Sequence, residues 1–143
     1  MTNGAVSRAG SAPARAPRIE FLWFEDCPNQ AATREMLAEV VAELAPGTPI
    51  DDIDATDLEV ATRHRFPGSP TIRIDARDVD PSFEDPGDYT PRCRLYWTAD
   101  GLCGRPERSW IEDAIRAAIE GRGAARGGAG AAGEARASEG RLG

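Results

Sequence analysis

From Arg18 to Phe24 the chain alternates and then becomes nearly continuous in large apolar side chains, which predicts a strand buried on both faces. From Pro28 to Ala45 the positions Ala32, Met36, Leu37, Val40, Val41 and Leu44 recur at helical spacing, and Glu35, Glu39 and Glu43 mark the wet face. Pro46-Gly47 ends that helix, and residues 49–54 read as a short strand. Thr56-Asp57-Leu58-Glu59 has the form of a capping box and predicts a short helix through Arg65.

Phe66-Pro67-Gly68-Ser69-Pro70 is turn chemistry, and Thr71-Ile72-Arg73-Ile74-Asp75 is a β-branched strand. Residues 76–92 form an acidic loop with three prolines. Cys93-Arg94-Leu95-Tyr96-Trp97 alternates like a fourth strand, and Asp100-Gly101 turns the chain. Ser109-Trp110-Ile111-Glu112 offers a second capping box. It opens an amphipathic helix through Trp110, Ile111, Ala114, Ile115, Ala118 and Ile119 that Gly121 should end. The predicted order is β-α-β-α-β-β-α, with an early parallel, right-handed βαβ unit and a late antiparallel ββ pair.

Composition confines the fold to the middle of the chain. Residues 1–17 and 121–143 hold almost no large apolar side chains, so both ends are expected to be disordered tails around one domain at 18–120. All 17 basic residues are arginine. Residues 18–120 carry 11 Arg against 22 acids, a balance of −11 that speaks against non-specific nucleic-acid binding. No apolar run reaches the length of a transmembrane helix, and the N-terminus lacks the apolar core of a secretory signal. The expected location is the cytoplasm, where three cysteines default to free thiols.

The candidate chemistry centres on Cys27. It follows an apolar strand and precedes Pro28, which suits the first position of a helix. A thiol there would face the orphan N–H groups and the positive end of the helix dipole, an arrangement that favours the thiolate. Glu25 and Asp26 oppose that effect by like-charge repulsion, and Arg63, His64 and Arg65 are the nearest candidates to offset them. Gln30 occupies the place where a dithiol motif would carry its second cysteine.

The element order, Cys27-Pro28 after the first strand and Ser69-Pro70 before the third resemble the thioredoxin-like superfamily. The segments Phe24-Glu25-Asp26-Cys27-Pro28-Asn29, Phe66-Pro67-Gly68-Ser69-Pro70-Thr71, Cys93-Arg94-Leu95-Tyr96, and Gly101-Leu102 with Gly104 are similar to the DF family of small bacterial thioredoxin-like proteins and selenoproteins. The resemblance implies a three-layer α/β sandwich and a cis peptide bond before Pro70. It also implies Cys27 as the working thiol of an oxidoreductase-like protein. Ser69 and Pro70 are then the platform that aligns an extended substrate segment, with Thr71 and Pro28 beside it. The partner would be a disulfide-bearing protein or a small thiol, with no cofactor.

Without a cysteine at position 30, Cys27 acts as a monothiol or is resolved from elsewhere in the chain. If the third strand runs away from Pro70 and the fourth returns, Cys93 begins the fourth at the far end, about 13 Å before Trp97 at ~3.3 Å per residue. The loop Asp100–Gly104 is then expected near Cys27, which selects Cys103 as the intramolecular partner. Cys93 is expected to pack beside Leu95 and Trp97.

The rival reading is a metal- or mercurial-binding module without redox turnover. Cys27, Cys93, Cys103 and His64 would be its ligands, with Asp26 or Asp100 as an acid, a scheme suggested by relatives that bear the name alkylmercury lyase. The acids between Asp75 and Asp88 lack the spacing of a calcium loop and read as a solvated loop.

Overall fold

The computed structural model describes residues 16–127. The tails expected at 1–17 and 121–143 therefore lie mostly outside the described residues. Strand β1 is Ile19–Trp23, helix α1 Gln30–Leu44, strand β2 Ile50–Asp54 and helix α2 Leu58–Arg63. Strands β3 and β4 are Thr71–Ile74 and Arg77–Asp78. Strands β5 and β6 are Tyr96–Thr98 and Gly101–Cys103, and helix α3 is Arg108–Gly127.

The chain forms a mixed α/β fold around a four-stranded sheet of order β2-β1-β3-β4. Strand β1 pairs parallel with β2, Ile19 opposite Ile50, and antiparallel with β3, Leu22 opposite Thr71. Successive strand side chains point to opposite faces, so β1 feeds two cores. On one face Ile19, Phe21, Ile72 and Ile74 meet Leu37 and Val40 of α1 and Ile111 and Ile115 of α3. On the other, Leu22 packs with Ala55, Ala61 of α2 and Phe66. Each fully buried Leu, Ile or Phe stabilises by about 1.5–3 kcal/mol. Arg108 ties α3 to α1 through Glu39 and Glu43, at 3.0 and 3.1 Å. Among the described residues no helix is long and apolar enough to cross a membrane.

Four local expectations are corrected. First, the partner of β3 is the short strand β4, not Cys93–Trp97. Asp75 and Ala76 both take positive φ, 52° and 69°, and turn the chain immediately after β3. Asp tolerates this backbone better than most residues, but neither position carries the glycine that would have announced the turn. Second, Tyr96–Thr98 pairs with Gly101–Cys103 in a separate hairpin. Third, α2 is capped by Asp57, whose carboxylate accepts from the N–H groups of Glu59 and Val60. Thr56, read as the cap, instead accepts from the Glu25 N–H at 2.8 Å. Fourth, α3 starts at Arg108, with Ser109 inside its first turn, and runs through Gly121 to Gly127.

The acidic loop spends its carboxylates on its own backbone. Asp78, Asp80, Asp85 and Asp88 each accept from the N–H two residues on. These are Asx turns, a local use of aspartate that needs no cation.

Candidate functional site

Strand β1 ends in a turn in which the Cys27 N–H donates to the Phe24 carbonyl at 3.1 Å. Cys27 is 6% exposed, whereas Glu25, Asp26 and Pro28 on either side of it are exposed. The helix begins later than expected. Asn29 is its N-cap and Gln30 its first residue, so Pro28 is not the first helical residue and Cys27 lies two residues outside the cap. The dipole's influence is concentrated in the first turn, and Cys27 stands beyond it. The Gln30 side chain accepts from Arg34 at 3.1 Å, one turn along the helix.

Opposite this turn lies the start of β3. The register that sets Leu22 against Thr71 carries the segment after Trp23 past Pro70, and the Ser69–Pro70 bond is cis, as the resemblance implies. Ser69, Pro70 and Thr71 are all buried. The cover is the segment Arg92–Tyr96. The Ser69 N–H donates to the Arg92 carbonyl at 2.8 Å, and the Arg94 N–H donates to the Ser69 carbonyl at 2.9 Å. Tyr96 donates its phenol to the Pro70 carbonyl. The Thr71 hydroxyl donates to the Gly68 carbonyl at 2.6 Å and accepts from Arg94 at 2.9 Å. Thr71, expected at the substrate, is thus wholly occupied inside the protein. Ser69 Oγ is the buried side-chain polar atom among the described residues that has no hydrogen-bond partner.

Cys93 is corrected by the same contacts. It forms a parallel bridge with Ser69 and is exposed, so it lies at the cis-proline end of the sheet and not at the far end. The hairpin of β3 and β4 and the loop behind it return the chain to where β3 began.

Arg94 anchors this cover. Its guanidinium donates to both oxygens of Asp78 at 2.7 and 2.9 Å and pairs with Asp80 at 3.7 Å. The Arg94 and Asp78 side chains are 9% and 2% exposed. Burial works against the Arg94 charge, but the bonds to Asp78 outweigh it and hold the guanidinium above its usual range. It lies over the Tyr96 ring at 4.3 Å and the Phe83 ring at 5.2 Å. Burial likewise pushes the Tyr96 phenol well above its usual range. Gly68, at φ 131°, makes room for the close approach: a Cβ there would stand 2.8 Å from Arg94 Cβ.

Cys103 pairs across the hairpin with Tyr96, and its sulfur lies 3.4 Å from Thr98 Oγ1. The next residue, Gly104, abuts the side-chain amide of Asn29 so closely that a Cβ there would collide with it. Cys103 is therefore bracketed between the residue bonded to Pro70 and the residue seated on the N-cap of α1. The opposite face of the hairpin is apolar and open, with Trp97 directly across from Leu102, at 73% and 50% exposed.

Arg63, His64 and Arg65 do not serve Cys27. With Arg18, Arg73 and Asp85 they line a polar cavity of about 360 Å³, and no cysteine lies on its wall. The His64 carbonyl accepts from Arg73 at 2.7 Å, and Arg65 pairs with Asp85 at 2.6 Å. Among the described residues no group of three or more His, Cys, Asp or Glu side chains is gathered to hold a metal ion.

Arg94, Asp78 and Tyr96 were not foreseen as parts of the site, although Cys93-Arg94-Leu95-Tyr96 stood out as a motif. No protein-family model, curated protein or solved structure matches the chain.

Proposed function

We propose that the chain is a thioredoxin-like thiol protein in which Cys27 carries out thiol–disulfide exchange. One observation carries the reading: Cys27 follows β1 at the same end of the sheet where the antiparallel β3 begins, directly after the cis Ser69–Pro70 bond. The sheet order β2-β1-β3-β4 has the early parallel pair and the late antiparallel pair expected of the β-α-β-α-β-β-α order on which the resemblance rests, and this supports it.

The chemistry follows from the thiol. The Cys27 thiolate attacks one sulfur of a disulfide, forming a mixed disulfide and releasing the other sulfur as a thiolate. A second thiolate then attacks the mixed disulfide. An internal one attacks the Cys27 sulfur, forms an intramolecular disulfide that two external thiols later reduce, and releases the bound substrate half as a thiolate. An external one attacks the substrate sulfur, forms a disulfide with it and releases the Cys27 thiolate. Two internal candidates stand at this end of the sheet: Cys103, whose neighbours Tyr96 and Gly104 touch Pro70 and Asn29, and Cys93, which is exposed and bridges Ser69. An external thiol does the same work if Cys27 acts alone.

The test is exchange activity and adduct mass on the wild type, Cys27→Ser and Cys103→Ser. Cys27→Ser should abolish exchange with the fold retained. Cys103→Ser should accumulate the Cys27 mixed disulfide if Cys103 resolves it. Full exchange activity in Cys27→Ser would end the proposal.

A further inference from the structure

We infer that the Cys27 site takes a low-molecular-weight disulfide without net negative charge, and not an extended polypeptide. This rests on the thiol-exchange reading above and names its substrate class.

An extended segment docks on a protein by adding its main chain to a free backbone edge. At the end of the sheet where Cys27 follows β1, the backbone leading into β3 is that of Ser69, and both its main-chain groups are taken, the N–H by the Arg92 carbonyl and the carbonyl by the Arg94 N–H. The chain's own Arg92-Cys93-Arg94 thus occupies the track an incoming polypeptide would need.

This cover is not held loosely. Lifting it would separate Arg94 from Asp78 and Thr71 and would strip Tyr96 from the Pro70 carbonyl. Parting a buried ion pair leaves two uncompensated charges, which is strongly unfavourable. Tyr96 is fully buried as well, so its ring would be exposed in the same movement.

A small disulfide needs no backbone edge. It needs only an approach to one sulfur, and with Cys27 6% exposed as a residue there is room for no more than a narrow one. Glu25 and Asp26, both exposed beside Cys27, add a local negative field. That field repels an anionic disulfide and favours a neutral or cationic one.

The test uses the full chain and three probes: cystamine, oxidised glutathione, and a short cysteine peptide presented as its mixed disulfide with cysteamine. Formation of the Cys27 adduct is followed by mass after proteolysis, which separates it from adducts at the exposed Cys93 and at Cys103. The peptide probe should react no more than about threefold faster than cystamine, and glutathione disulfide should be slower than cystamine by a margin that shrinks with salt. Two main-chain hydrogen bonds to a docked peptide would be worth about thirtyfold. A peptide advantage of about tenfold or more would therefore overturn the substrate class while leaving thiol exchange standing. Glutathione disulfide reacting as fast as cystamine at low salt would overturn its charge preference. If no probe reacts at Cys27, both the substrate class and thiol exchange fall.

Amide hydrogen exchange gives an independent readout. The Arg94 N–H, which the cover donates to the Ser69 carbonyl, should stay protected in the peptide adduct. Loss of that protection on adduct formation would show the cover yielding to the peptide and would overturn the inference.

Discussion

The phenol of Tyr96 donates its hydrogen bond to the carbonyl oxygen of Pro70, 26 residues earlier in the chain. This one bond fastens the β5–β6 hairpin to the first residue after the cis peptide bond. Tyr96 is fully buried, so its ring would stay in place if the hydroxyl were removed, and the Pro70 carbonyl would be left without this donor. Tyr96→Phe should therefore lower unfolding free energy by about 1–3 kcal/mol, read from urea denaturation. An unchanged urea midpoint would mean that the bond contributes nothing to holding the hairpin.

Alkaline pH should unfold the protein through the same residue. Burial holds the Tyr96 phenol well above its unfolded value of 10.0. A group raised in the folded state contributes stability that is complete below the unfolded pKa and is lost as pH rises above it. Stability should thus fall progressively above about pH 10. Tyr89, the other tyrosine, is also raised, by its bond to Asp85. In a Tyr89→Phe background, phenolate absorbance should rise together with the loss of secondary structure. Phenolate formation well before unfolding would contradict the burial of Tyr96.

Arg94 and Asp78 should behave as one unit. Removing the guanidinium leaves the Asp78 carboxylate buried without its counter-charge. Arg94→Ala should cost about 3–5 kcal/mol, whereas the paired apolar replacement Arg94→Met with Asp78→Leu should recover most of that loss. A urea double-mutant cycle checks it, and additive losses would show that the two side chains are energetically independent.

Much of the fold could be read from side-chain periodicity, because β1, α1 and α3 each bury apolar side chains at strand or helix spacing, whereas β2, with no buried residue, could be placed only by the Pro46-Gly47 break before it. What could not be read was the path after β3. Asp75-Ala76 makes its turn without a glycine, and β4 has only two residues. The strand-like alternation of Cys93–Trp97 is real, but its groups are spent at different places: Cys93 on Ser69, Arg94 on Asp78 and Thr71, and Tyr96 on Pro70 and the hairpin. Local patterning gives no means of separating such a cover from a ladder strand. For the site, Cys27 was legible because the end of an apolar strand and the following proline mark it, whereas the cis bond before Pro70 was implied only by the family resemblance. The occupation of Ser69 was not, because it depends on a contact across 24 residues of sequence.

The seat of Gly104 on Asn29 fixes where the end of β6 meets the start of α1. Gly104→Ala would drive a methyl group against the far end of the Asn29 side chain, which makes no capping bond and can swing aside, so it should destabilise by no more than about 1 kcal/mol, the low end of overpacking. Asn29 is the N-cap of α1, yet its side chain makes no capping hydrogen bond. Asn29→Ala should therefore cost little alone, and it should restore Gly104→Ala toward the wild-type urea midpoint. The rescue identifies the clash as the cause, since a backbone effect at Gly104 would persist in the double variant. If the two changes add without coupling, the hairpin does not rest on Asn29, and the contact that joins the end of β6 to the start of α1 contributes nothing.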